Sequence, residues 1–280
     1  MATNNFKPFA IGAGANVTSQ ADYEALAALL TGFQAGKASS AQINKSLRQS
    51  SVMAYVLAQF ISDSASVDVL DNGTPATILA NLKKGMTSLT PGRLIGTQVF
   101  TSSGTYTPSP GAKKVRVCVT AAGGAGGGSL STSNPRGGGG GAGGTAIKLV
   151  TLSQASYAVT VGMGSSTATT GGGSSFGSEC SAAGGGHGTA NAGAAGGLAS
   201  GGDINIQGGQ GSDGAVASNA GGGSGDGGSS YWGGGRRSST GVDGSAAGAY
   251  GAGGGGNQAN SGSGGEAAGQ NGIVYIEEYS

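Results

Sequence analysis

The side chains best suited to binding stand together at residues 231–237, which read Tyr-Trp-Gly-Gly-Gly-Arg-Arg. This segment holds the only tryptophan of the chain and its only Arg-Arg pair. Large aromatic and arginine side chains dominate binding hot spots, and an aromatic ring can also stack on a sugar. The alternative is that the tryptophan caps a side-chain core, the role that we favour for Phe176. We predict a binding surface formed by Tyr231, Trp232, Arg236, Arg237 and Tyr250.

Motifs that carry catalysis or bind cofactors are incomplete in this chain. The strand-like residues 113–122 precede Gly-Gly-Ala-Gly-Gly-Gly, but the helix and acidic residue of a dinucleotide site do not follow. A P-loop is excluded, because no glycine is followed by lysine and then serine or threonine. His187 is the single histidine and no nucleophile elbow accompanies it. We predict no catalytic residues, no metal and no cofactor, although a glycosidase carboxylate pair stays open.

Glycine dominates the composition, with 63 of 280 residues, and 53 of them lie between residues 123 and 272. Collagen is excluded, because it needs a strict Gly-X-Y repeat with abundant proline, and this chain has six prolines and irregular glycine spacing. The tract has too few large apolar side chains for the core of an α/β enzyme. The net charge of +1 gives no electrostatic attraction for nucleic acid or an anionic membrane.

The cysteines and the N-terminus indicate little about the compartment. Cys118 and Cys180 permit a disulfide but do not imply one, so their redox state stays open. No apolar run of 18 residues is present, so we predict no transmembrane helix. The first residues lack the features of a signal peptide, and a role outside the producing cell would then require another route, such as lysis.

Residues 18–85 are predicted to form a small domain of three helices. The first begins at Ser19, whose hydroxyl can accept a hydrogen bond from the Asp22 amide, while the Asp22 carboxylate can accept one from the Ser19 amide. Its apolar face consists of Leu26, Leu29, Leu30 and Phe33. The second helix runs from Ser39 or Ser40 to about Asp63, and the third begins at Thr74-Pro75 and ends near Gly85.

The second helix carries apolar and small residues at the alternating spacing of four and three that is typical of a coiled coil. Either this is a plain amphipathic helix, or it packs against copies of itself. In the second case the oligomerisation residues are Ile43, Leu47, Ala54, Leu57 and Ile61.

The segments on either side of this domain are predicted to be non-helical. Residues 1–17 are expected to be extended, and they form either a loose terminus or a docking peptide. In a docking peptide, Phe6 and Phe9 would be buried against a partner. Residues 86–96 are predicted to be a linker.

From residue 98 the apolar period changes from that of a helix to two, which predicts a β domain over residues 97–280. Its strands are expected at about residues 98–121, 145–161 and 273–279. We expect residues 145–152 and 156–161 to form a hairpin, and 203–207 to be an isolated strand. Because β sequence brackets the glycine tract 123–272, the two ends of the domain are expected to pair in one sheet.

The glycine tract 123–272 has three physical options. It could be a flexible linker, a set of ordered surface loops, or packed polyglycine II helices, in which glycine backbones hydrogen-bond to neighbouring helices. We favour the third. The predicted fold is therefore α+β and multidomain: a small N-terminal helical, oligomerising domain is followed by a β-sandwich-like domain with a polyglycine-II-like insertion.

Two parts of the chain resemble bacteriophage tail fibre proteins of the coliphage and prophage type. Residues 1–61, from MATNNFKPFAIGAGANVT to SVMAYVLAQFI, are similar to the N-terminal region of such fibres. The segments QVFTSSGTYTPSPGAKKVRVCVTAAGGAGGG, SYAVTVGMG and NGIVYIEEY resemble the glycine-rich, receptor-binding domain that ends many of them.

The resemblance implies a non-enzymatic adhesin in the virion tail, at a distal fibre or tip, made in the host cytoplasm. Its N-terminal part would attach to other tail or baseplate proteins, with Phe6 and Phe9 as contacts, and the chain would form a homotrimer. The glycine-rich domain would recognise lipopolysaccharide or an outer-membrane protein of the host, and no nucleic acid is expected as a partner. The alternatives are a purely structural tail protein and, as a third, a surface-glycan depolymerase.

Overall fold

The computed structural model describes residues 2–33, 39–128, 136–215, 223–237, 248–257 and 266–280. Contacts divide the chain into two compact units, Met1–Pro91 and Gly92–Ser280. The first unit contains the helices and the second contains two antiparallel sheets. The α+β prediction is therefore confirmed.

Four helices occur in the described part of the first unit: α1 (Gln20–Glu24), α2 (Ala28–Thr31), α3 (Ser40–Ala65) and α4 (Pro75–Ser88). The Ser19 hydroxyl accepts a hydrogen bond from the Asp22 amide at 3.1 Å, as the capping pattern predicted. The predicted first helix is instead two short helices. Most of the predicted apolar face is exposed, with Leu30 at 94%, and only Leu26 is half-buried. None of the four helices is long and apolar enough to cross a membrane.

Helices α3 and α4 pack closely where small residues meet. A Cβ added at Gly85 would overlap the Ser64 hydroxyl and lie 3.2 Å from the Ser64 Cβ, so a larger residue there would force the Ser64 side chain to move. Gly85 thus lies inside α4, not at its end as predicted, and the helix continues to Ser88. A small core of Ala58, Ile61 and Val69 lies between them.

Residues 2–8 contain no helix or turn and pack on their own unit, whereas residues 9–14 contain bends and a turn and are not extended as expected. The Val69 amide donates to the Thr3 carbonyl at 2.8 Å, and the Asn5 amide donates to the Val69 carbonyl at 3.0 Å. Further along, the Phe9 amide donates to the Ser51 hydroxyl of α3 at 2.9 Å. These hydrogen bonds attach residues 3–9 to their own unit.

The first sheet of the second unit has the strand order β1-β10-β3-β4-β9. Its strands are β1 (Leu94–Phe100), β3 (Lys114–Thr120), β4 (Thr145–Thr151), β9 (Ile204–Ile206) and β10 (Ile273–Tyr279). The C-terminal strand β10 pairs with both β1 and β3, which confirms that the ends of the domain meet in one sheet. Because β1 begins at Leu94 and α4 ends at Ser88, the linker is shorter than the predicted residues 86–96.

The second sheet has the order β2-β5-β6-β7-β8. Its strands are β2 (Gly104–Tyr106), β5 (Tyr157–Thr160), β6 (Ser174–Phe176), β7 (Cys180–Ala182) and β8 (Ala199–Ser200). The predicted hairpin is wrong, since β4 and β5 belong to different sheets. The chain crosses between the sheets at residues 152–156. The Tyr157 hydroxyl holds this crossing by accepting hydrogen bonds from the Ser153 and Gln154 amides.

The two sheets face each other across one side-chain core. Alternate residues of β3 and β10 point inward, and these are Val115, Val117, Val119, Val274 and Ile276. They meet three aromatic rings of the second sheet, those of Tyr106, Tyr157 and Phe176. The Tyr157 and Phe176 rings stack at a centroid distance of 4.9 Å. Phe176 is fully buried, which confirms its predicted core role.

The glycine-rich residues beyond the sheets are hydrogen-bonded through their backbones. Residues 136–144, the central segment, are buried throughout. Every third N–H of this segment donates to the same neighbour, so the donors point in three directions. Residues 137, 140 and 143 donate to carbonyls at 257, 254 and 251, at 2.8 to 2.9 Å. The other donors bond segments 183–189 and 209–212 in the same stepwise manner.

Three further segments donate to the carbonyl groups of the central segment. They are residues 121–127, 194–197 and 225–228. The central segment is therefore bonded to six others, and added Cβ atoms would overlap neighbouring backbone at nearly every glycine along it. This part of the domain is packed backbone against backbone, since no side chain fits at the glycines of the central segment.

Candidate functional site

The predicted pair Tyr231 and Trp232 occupies a tight turn. The Ser230 amide donates to the Gly233 carbonyl at 2.9 Å, and the Gly233 amide returns a weaker bond at 3.4 Å. The Trp232 amide also donates to the Ser230 hydroxyl at 3.2 Å. The two aromatic residues are therefore presented from a closed loop whose backbone is fixed.

Trp232 is anchored to the first sheet by its indole nitrogen. The Nε1 atom donates to the hydroxyl of Thr120, at the end of β3, at 2.9 Å. The Trp232 ring makes T-shaped contacts with the rings of Tyr231 and of Tyr275 on β10, with centroid distances of 5.2 and 6.3 Å. We call these three residues the aromatic cluster. Tyr231 and Trp232 keep 48% and 38% of their surface exposed, so the cluster is held in place yet accessible.

A charged pair lies beside the aromatic cluster on the outer face of the same sheet. The Arg116 guanidinium of β3 and the Glu277 carboxylate of β10 are cross-strand neighbours, 3.0 Å apart. The hydroxyl of Tyr279, two residues along β10, donates to the same carboxylate at 3.1 Å. The hydrogen bond to Glu277 raises the pKa of Arg116 despite its partial burial, and the nearby Tyr231 phenol adds a smaller contribution.

The structure does not gather all five predicted residues. Arg237 and Tyr250 are exposed, whereas the backbone of Arg236 joins the glycine packing. The Arg236 carbonyl accepts from the Gly227 amide at 2.8 Å. Within the described ranges, no ring contact or side-chain hydrogen bond joins these three residues to the aromatic cluster. Sequence reasoning also missed Tyr275, Arg116 and Glu277, because alternation along a strand shows a shared face but not which loop covers it.

A second unpredicted feature is the buried carboxylate of Glu278, which faces the core. It accepts hydrogen bonds from the Tyr106 hydroxyl at 2.7 Å, the Ser109 hydroxyl at 2.7 Å and the Ser109 amide at 3.0 Å. Burial alone would raise the pKa of this carboxyl, but these bonds and one from Gln98 outweigh it and lower the pKa. Burial, and after it the hydrogen bond to Glu278, raise the pKa of the Tyr106 hydroxyl. Glu278 thus ties β10 to β2 and the turn after it.

The remaining reactive side chains are dispersed. Cys118 and Cys180 are free and buried, and burial raises the pKa of each thiol to about 11. The His187 imidazole lies 3.5 Å from the Glu266 carboxylate. Across the described residues, no group of three or more His, Cys, Asp or Glu side chains is arranged to hold a metal ion. That the chain is not an enzyme stays a prediction.

In the first unit, the predicted oligomerisation residues divide into two groups. Ile43, Leu47 and Leu57 are exposed on α3, and Ala54 is half-buried. Ile61 is only 1% exposed, because it packs in the core between α3 and α4. It therefore cannot contact another chain without unfolding its own unit, and its prediction as an interface residue is corrected.

The predicted attachment residues also differ from each other. Phe6 is partly buried against the core of Ala58, Ile61 and Val69. Phe9 is 47% exposed. Of the two rings, that of Phe9 is the more exposed.

Unit 2 is therefore a glycine-rich domain: a two-sheet sandwich continued by hydrogen-bonded glycine segments. The model of the glycine-rich domain family matches residues 99–279, and the chain belongs to this family. No curated protein matches the chain.

Proposed function

We propose that this chain is a bacteriophage tail fibre or tip adhesin. Its N-terminal part would attach to the virion tail and its glycine-rich domain would bind a receptor on the host surface. The observation that supports this best is the aromatic cluster. Two large rings, 48% and 38% exposed, lie together on a glycine-rich domain, and such rings are typical of binding hot spots.

We further propose that the glycine segments adopt polyglycine II. This conformation has three residues per turn and no internal hydrogen bonds, so successive N–H groups point in three directions. The period of three along the central segment supports the proposal. The φ angles do so too, because within the described part of the tract only Gly177, Gly201 and Gly251 have positive φ.

A homotrimer is the third part of the proposal, with α3 at the interface. Ile43, Leu47 and Leu57 leave an apolar stripe exposed on this helix. A stripe of this kind is stabilised when it is buried against copies of itself. The substitution Leu47→Glu should lower the mass of the protein in solution to that of one chain, measured by light scattering. The control Ser46→Glu, one position away on the helix, should leave the mass unchanged, and a wild-type monomer would contradict the trimer.

The receptor-binding role is tested with fluorescently labelled, full-length protein added to host cells. We expect saturable binding and competition with phage adsorption. The double variant Trp232→Ala, Arg236→Ala should bind at least tenfold more weakly, because it loses the anchored ring and a charge in the same segment. Leu198→Ala removes a more exposed apolar side chain elsewhere in the domain and is the control.

Two outcomes would contradict the proposal. Absence of cell binding by the wild-type protein would favour a structural tail protein, and unchanged binding of the double variant would remove the 231–237 segment from the site. Point variants suit this test better than deletion of residues 123–272. The deletion would also remove the central segment and with it the packing of the whole domain. Release of reducing sugar from host envelopes would identify a depolymerase instead.

A further inference from the structure

We propose that the outer face of the first sheet carries a binding site for an uncharged saccharide ring. The site consists of the aromatic cluster and the ion pair beside it, five residues that we call the outer patch: Arg116, Tyr231, Trp232, Tyr275 and Glu277. This inference rests on the proposed function, since it assigns the chemical class of the receptor that the domain recognises.

The rings of the outer patch are suited to the C–H-rich face of a sugar. Tyr231 lies perpendicular to Trp232, at an interplanar angle of 90°, and Tyr275 lies at 76° to it. The rings thus form a corner instead of a flat stack, and two of the three are more than one third exposed. Aromatic faces carry partial negative charge, which favours contact with the polarised C–H groups of a saccharide.

The ion pair supplies hydrogen-bonding groups for hydroxyls at the edge of the same ring. A guanidinium has five N–H donors, and one of those of Arg116 is used in the bond to Glu277. The Arg116 side chain is 42% exposed and that of Glu277 20% exposed, so both reach solvent. In the described part of the chain, no hydrogen bond engages the hydroxyl of Tyr231 or Tyr275, which adds two further donors.

The charges of the outer patch favour a neutral ligand. Arg116 and Glu277 neutralise each other, so an anionic group would have to compete with the carboxylate and a cationic group with the guanidinium. A neutral hydroxylated ring can bond to both without breaking the pair. A protein partner is the less favoured occupant, because the patch combines few apolar side chains with a central ion pair, and interface cores are depleted of charge.

The outer patch is also fixed before any ligand arrives. The Trp232 indole is bonded to Thr120, which in turn shares a hydrogen bond with Thr145 of β4 at 2.9 Å. Arg116, Tyr275 and Glu277 stand on paired strands. A preformed site does not need to order its side chains on binding, which favours a weakly bound ligand such as one sugar ring.

Trp232 makes the test direct, because it is the only tryptophan of the chain and its fluorescence reports on this site. The full chain is titrated with glucose, galactose and N-acetylglucosamine, and with the core oligosaccharide released from host lipopolysaccharide. We expect a saturable change with at least one of them. Tyr231→Ala and Arg116→Gln should each raise the Kd about five- to tenfold, while Leu198→Ala, which removes an exposed side chain elsewhere in the domain, should not.

No saturable change with any probe would overturn the saccharide site, as would an unchanged Kd in Tyr231→Ala that unfolds at the wild-type temperature. A response to a purified outer-membrane protein alone would show that the patch binds protein and would also overturn it. Labelled full-length protein on host cells separates the two proposals. Cell binding without a fluorescence response to sugar would support the adhesin function and refute the saccharide site. A fluorescence response to sugar without cell binding would support the saccharide site and refute the adhesin function.

Discussion

Replacing Gly140 with alanine should destabilise the second unit more than almost any exposed substitution. This residue lies in the middle of the central segment. An added Cβ would overlap the Gly124 carbonyl oxygen and would lie 2.5 Å from that of Ala125, whereas real Cβ atoms essentially never come within 3.0 Å of such atoms. Both neighbours are backbone atoms in a bonded segment, so no side-chain rotation can relieve the overlap.

The magnitude follows from the hydrogen bonds that must be given up. Relief requires a shift of about 1 Å, since carbon and oxygen pack best near 3.5 Å. The Gly140 amide donates to Gly254 and its carbonyl accepts from Gly228, both at 2.8 Å, and such a shift takes them beyond bonding distance. Two buried bonds at about 1 kcal/mol each, and overpacking of about 2 kcal/mol, give about 4 kcal/mol.

Thermal unfolding followed by circular dichroism measures this effect. At about 2–4 °C per kcal/mol for a domain of this size, the Tm of unit 2 should fall by about 8–16 °C. The control is Gly234→Ala in the same unit, where an added Cβ meets nothing within 4 Å, and its Tm should stay within about 2 °C of the wild type. If the Tm of Gly140→Ala equals that of the control, packing does not require glycine at this position, and the inference that the glycine segments pack backbone against backbone is refuted.

Three other substitutions or treatments test the fold. Because the folded pKa of Glu278 is lowered from its ordinary 4.5, its stabilisation is present above pH 4.5 and lost as the pH falls through the folded pKa. Stability of the Glu278→Gln variant should therefore fall less between pH 5 and pH 2 than that of the wild type, and parallel acid titrations would contradict this. Gly85→Ala should destabilise the helical unit by about 2 kcal/mol, because its Cβ would overlap the Ser64 side chain. Adding Ser64→Ala should restore part of the lost stability, and a double variant as unstable as Gly85→Ala would contradict this explanation. The Cys118 and Cys180 thiols should react with Ellman's reagent at pH 8 only after unfolding, since burial raises each pKa to about 11, and fast labelling of the native protein would show that they are accessible.

The sequence was most informative where side-chain period and capping chemistry act locally. The Ser19 cap, the Thr74-Pro75 helix start and the alternation in residues 273–279 each depend on neighbouring residues, and each occurs in the structure. The bracketing of the glycine tract by strands also predicted the pairing of β10 with β1 and β3. In these cases the local pattern decides the element and leaves little choice to the tertiary fold.

Predictions failed where the outcome depends on distant packing. The spacing of residues 145–161 resembles a hairpin, but Tyr157 gains more by joining Phe176 and Tyr106 in the core, so β5 changes sheet. Ile61 matches the heptad spacing, yet α4 covers it. The partners of Trp232 lie 112 residues away at Thr120 and 43 residues away at Tyr275, and no local pattern indicates them.

The packing of the glycine segments explains how the aromatic cluster is supported on the surface. The glycine segments are packed by backbone hydrogen bonds and need no large apolar side chains between them, so large rings beside these segments can lie on the surface while the side-chain core stays between the two sheets. The same packing fixes the positions of loops such as residues 230–233, because each adjoining segment is bonded to several others. A rigid platform lowers the entropy lost on binding. This is why a glycine-rich chain, which would be flexible if its segments were not paired, can present a preformed site.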